Sequence, residues 1–164
     1  MDTVDLIQSI RDYLSADSDL RSHFTGATTK ALMLRRVLYK DAQYVSIKNH
    51  FDYPFITLML DETDEETFVP SNKLMLKVSL NNSWKNAACA ETNVRIKDRI
   101  KELMANKCNT DAKHEEINDQ ATALGLDIKV RELTWVSAVT YDDKEQGSER
   151  LHKIICIIQM TVGD

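Results

Sequence analysis

The chain has 164 residues, 43% hydrophobic and 29% charged, and its 21 basic and 26 acidic side chains leave a formal charge of −5. That length suits one domain over residues 1–164, burying roughly two-thirds of its unfolded surface. The composition excludes bulk disorder, the acidic balance speaks against a dedicated nucleic-acid binder, and 4 Gly with 2 Pro argue against a sandwich of many tight turns.

Asp2 or Thr3 caps a first helix that the spacing predicts to about Ser15. Val4, Ile7, Ile10 and Leu14 form its apolar stripe, with Leu6 and Tyr13 beside them. Asp17-Ser18-Asp19 starts a short helix or turn that Gly26 closes. From Ala31 to Tyr39 the apolar residues fit neither a helical nor a strand period, and an irregular extended segment is expected. Gln43 to Lys48 reads as a short strand. Tyr53-Pro54 opens a firmer one, with Ile56, Leu58 and Leu60 on one face. Asp61 to Glu66 holds five acids in six residues and must be solvated or meet a cation or a basic partner.

The segment from Lys73 onward carries the clearest pattern. Leu74, Leu76, Val78 and Leu80 alternate with polar neighbours, as in a strand with one buried face. From about Ala88 the period becomes helical, and Cys89, Ile96, Ile100 and Leu103 share a stripe with Val94 and Met104 at its edges. Asn106 to Gln120 reads as a loop or an exposed helix. Asp127 to Thr140 reads as a long strand whose change of parity predicts a β-bulge near Arg131-Glu132. Tyr141 to Glu149 is a polar tip. The last strand, Leu151 to Val162, is apolar on both parities, Ile154 and Ile158 one way and Ile155 and Ile157 the other. One face is expected to meet the helix, and the other to lie under a second layer or at a subunit interface. The expected fold is α+β: a mostly antiparallel four-stranded sheet of two hairpins, a long helix packed on one face, and an N-terminal helix.

Site chemistry is sparse. His114-Glu115-Glu116 lacks a second histidine four positions on, where Asn118 stands, so a zinc helix is not expected. No phosphate-binding glycine loop or nucleophile elbow is present. Cys89, Cys108 and Cys156 are odd in number and widely spaced, and Cys89 and Cys156 read as small core residues in a reducing compartment. The acidic N-terminus does not read as a signal peptide, and no apolar run is long enough to span a bilayer. Trp84 and Trp135 read as core anchors. No catalytic residue, metal or cofactor is expected, and the chain does not read as an enzyme.

The order of elements resembles the bacteriophage tail-terminator, or tail-completion, neck proteins. The residues that carry the resemblance are Leu20-Arg21-Ser22-His23-Phe24, then Tyr53-Pro54-Phe55-Ile56-Thr57-Leu58, then Val78-Ser79-Leu80-Asn81-Asn82-Ser83-Trp84. The helix Val94 to Met104 follows, with Arg150-Leu151-His152-Lys153 opening the last strand. Residues 106–124 and the tip from Tyr141 to Glu149 depart from the pattern. The resemblance implies a structural virion protein, assembled in the host cytoplasm, that forms a homohexameric ring on the head-proximal end of the tail. The ring would touch the tail tube protein and the head–tail connector and let DNA pass without specific binding or contact with a membrane. Asp61, Glu62, Asp64, Glu65 and Glu66 are the candidate lining of the lumen or contact for a basic partner. Ile155 and Ile157 are the candidate subunit interface. The competing readings are a small intracellular adaptor or inhibitor domain that binds a protein through its sheet or hairpin, and an enzyme of unrecognised type.

Overall fold

The fold was analysed in a computed structural model that describes residues 2–39, 53–61, 73–105, 112–146 and 149–163. It is α+β. Helices α1 (Thr3–Ala16), α2 (Ser18–Arg21) and α3 (Lys30–Leu34) precede strands β1 (Val37–Tyr39), β2 (Phe55–Asp61) and β3 (Lys73–Ser83). Helices α4 (Cys89–Met104) and α5 (Lys113–Ala123) follow, then strands β4 (Val130–Gln146) and β5 (Glu149–Val162).

Among the described residues the sheet has five strands in the order β1-β2-β3-β5-β4. β2–β3, β3–β5 and β5–β4 are antiparallel, and β1 is parallel to β2. This corrects the expected four strands, and the reason lies in the segment from Ala31 to Tyr39. Its mixed period hides two elements, α3 and the three-residue β1, whose Val37 pairs with Ile56 and is fully buried. The expected strand at Gln43 to Lys48 lies outside the described residues.

Strand alternation assigns the two faces. Ile56, Leu58, Leu76, Val78, Leu80, Ile154, Cys156, Ile158 and Met160 are all at most 1% exposed and join one core. α1 lies against β1 and β2, α4 against β3, β5 and β4, and α5 against β4, so three helices share the cover expected of one. α1 is capped by the Asp2 carboxylate, which accepts from Val4 N (2.8 Å). Leu6, Ile7, Ile10, Tyr13 and Leu14 are buried, whereas Val4 is 66% exposed and leaves the expected stripe, because at the helical period it points well away from the face these residues share. In α4, Ile96, Ile100, Leu103 and Met104 are buried and Val94 is exposed.

Three further expectations are corrected. Residues 113–123 form a helix that is not merely exposed: Ile117 and Ala121, one turn apart, are fully buried against the core. The single Tyr13 hydroxyl proton is shared between Glu116 Oε2 and the Leu103 carbonyl (2.9 Å each), tying α1 to α5 and α4. The polar tip is mostly strand, since β4 runs to Gln146 and β5 starts at Glu149. Trp84 does not anchor the core, whereas Trp135 packs against the core while staying half-buried. Trp84 is 40% exposed, edge-on to His152, and Trp135 is half-buried with the Lys101 ammonium 5.5 Å from its ring centroid. The parity change in β4 is a register shift between Val130 and Glu132, and a second one falls at Val136.

Candidate functional site

The face of the sheet opposite the helices is the candidate site. It is built by the odd-numbered residues of β5 and β3 and their partners. Ile155 pairs with Ser79 and Val139, and Ile157 with Lys77 and Ser137. Both isoleucines are half-buried, unlike Ile154 and Ile158 on the helix side. Met75 and Met59 on this face are likewise half-buried, and Val139 and Tyr141 are 47% and 49% exposed. A strip of aliphatic side chains thus runs from β5 to the β4 border. Lys73, Lys77 and Lys153 stand around it at register positions on the same face. At the other end of the face Tyr53, Phe55 and Leu151 form a separate small apolar cluster.

This arrangement suits a protein surface. Apolar area that is half exposed gains free energy when a partner removes it from water, at about 25 cal/mol per Å². The sequence singled out Ile155 and Ile157, and the structure brings them together with Val139 and Tyr141, which the sequence reading left unassigned. The signal for those two was their lack of charge in a strand at the sheet's border. Of the candidate acidic residues, Asp61 ends β2 opposite Met75, and Glu62, Asp64, Glu65 and Glu66 lie outside the described residues.

Other polar groups tie separate elements together. The Arg99 guanidinium grips the Asp17 carboxylate with two bonds (Nε to Oδ2 2.9 Å, Nη2 to Oδ1 2.7 Å), and Asp17 also accepts from Leu20 N (2.8 Å) as the cap of α2. Burial alone would raise the Asp17 pKa. The Arg99 bonds and the Leu20 N–H outweigh it and hold the carboxyl below its usual range. Across the core, Asn93 of α4 donates to the His152 carbonyl and approaches His152 Nδ1, 2.9 Å each, while Asn86 donates to Asn82 Oδ1 (3.0 Å). Asn93 thus joins α4 to β5, and Asn86 ties the β3–α4 connection back to β3. Burial pushes the Cys156 thiol up to about 12. An open groove of about 500 Å³ between α5 and the start of β4 is lined by His114, Glu115, Asp127, Lys129 and Arg131, charges of both signs. Among the described residues no group of three His, Cys, Asp or Glu side chains is placed to hold a metal ion, and no helix is long and apolar enough to cross a membrane.

Comparison with protein-family models and with curated proteins found no match to this chain.

Proposed function

We propose that this chain is a structural assembly protein that joins copies of itself into a ring, and that the ring caps the head-proximal end of a bacteriophage tail tube and receives the head connector. The observation that carries self-association is the half-buried aliphatic strip of Ile155, Ile157 and Val139 on the helix-free face of the sheet. A ring of identical subunits needs an adhesive patch on each subunit that meets a different patch next door, and this strip is a candidate for one of the two. The assignment to the tail terminators rests on the resemblance in sequence. The element order supports it: an N-terminal helix, the β2–β3 hairpin, α4, and the β4–β5 hairpin.

The test is co-assembly of the purified chain with purified tail tubes, viewed by negative-stain microscopy. The expected result is tubes capped at one end and a six-fold ring in end view. Tubes that stay uncapped and continue to elongate in the presence of the chain would overturn the assignment. The adaptor reading uses the same apolar strip, and a compact monomer with no affinity for tubes would favour it.

A further inference from the structure

Among the described residues the sheet has two borders of different character. β1 forms one with 3 residues and β4 forms the other with 17. An unpaired strand border recruits another strand, so soluble monomers blunt it by short length, charge, proline or a covering element. β1 is short, and Arg11 Nε of α1 donates to its Val37 carbonyl (2.6 Å). β4 is covered at its first residue, where the Asn118 amide donates to the Val130 carbonyl (2.8 Å) and accepts from Val130 N (2.7 Å). Farther along, Thr134 to Tyr141 holds no charge and no proline. Beyond the bulge at Val136, Ala138, Val139, Thr140 and Tyr141 are exposed. Ala138 and Thr140 belong to the helix side, opposite Cys156 and Ile154, yet the helices do not cover them.

We infer that Ser137 to Tyr141 of β4 pairs with β1 of a second copy of this chain, so that the sheet continues from one subunit into the next. The inference rests on the ring reading and names its contact. Strand directions fit. β1 is parallel to β2, and each later neighbour is antiparallel, so β1 and β4 run in opposite directions. A copy rotated about an axis along the strands keeps its strand directions and its faces, so its β1 arrives antiparallel to β4. Face parity fits as well: Val37 and Thr140 lie on the helix side, and Leu38 and Val139 on the other. Pairing Leu38 with Val139 extends the aliphatic strip across the junction. Because Arg11 holds Val37, the pairing is centred on the exposed Tyr39 end.

The test uses the full chain with Cys108→Ser, since Cys89 and Cys156 are buried. One preparation carries Tyr39→Cys and another Ala138→Cys, and the two are mixed and treated with a short bismaleimide. The expected result is a covalent heterodimer, with a ladder of multimers when one chain carries both substitutions. The pair Ala138→Lys and Thr140→Lys, both at exposed positions, should keep the circular dichroism of the parent. It should raise the concentration needed for assembly by about ten-fold or more. A ring that forms without the cross-link and ignores the lysines overturns this contact and leaves the ring reading standing. A cross-link between chains that form no ring keeps the contact and overturns the ring. A chain that remains monomeric at high concentration and gives no cross-link overturns both.

Discussion

Ile154 and Ile155 are neighbours in β5 and carry the same side chain, but they live in different surroundings. Ile154 is 1% exposed in the core under the helices, and Ile155 is half-buried on the face that no described helix covers. The same contrast separates Ile158 from Ile157. Strand alternation alone puts each pair on opposite faces, and what lies over each face decides whether its isoleucines hold the subunit together or wait for a partner.

The contrast is sharpest in stability. Ile158→Ala should cost about 2–5 kcal/mol in urea unfolding, because a fully buried side chain leaves a cavity. Ile157→Ala in the monomer should cost under about 1.5 kcal/mol, since its transfer from water is incomplete. Equal losses would show that the open face is already covered within one chain and would break the comparison. Asn93→Ala should cost about 1–3 kcal/mol by the same measurement, since it removes the buried amide that bonds His152. A loss within error would make the Asn93–His152 bonds incidental to the β5–α4 contact.

Asp17→Asn should cost about 1–2 kcal/mol at neutral pH through the lost grip of Arg99 and a weakened helix cap. Its pH dependence has a definite sign. The folded-state pKa lies below the ordinary carboxylate value, so this stabilisation is present above that value and disappears as pH falls through the folded pKa. The gap between parent and variant should therefore close below about pH 4, read from urea midpoints across an acid series. The smallest effect belongs to Val4, 66% exposed on the first turn of α1. Val4→Ala should change stability by less than about 0.5 kcal/mol, and a larger loss would mean that this turn has a partner the isolated chain lacks.

Among the candidate site residues, Ile155 and Ile157 were legible because adjacent apolar residues of both parities stand out in a strand. The β4 border was harder to see. Val136, Val139 and Tyr141 look like ordinary strand residues until the strand order places β4 at the edge. Trp84 misled for a similar reason: large aromatics favour interiors, but Trp84 sits where the chain leaves β3 and is 40% exposed, its ring perpendicular to that of His152. The Asp17–Arg99 pair spans 82 residues, and no local pattern announces a contact of that separation.

The amino-acid pattern by itself determined the strands β2, β3 and β5, the stripe of α4 and the bulge at Arg131, because each follows from a short-range period of 2 or 3.6 residues or its interruption. Tertiary structure alone decided the parallel β1, the burial of α5 through Ile117 and Ala121, the strand order that makes β4 a border, and which face the helices cover. Those outcomes depend on which segments far apart in the chain meet, and a periodic pattern records which side of an element is apolar but not what comes to lie against it.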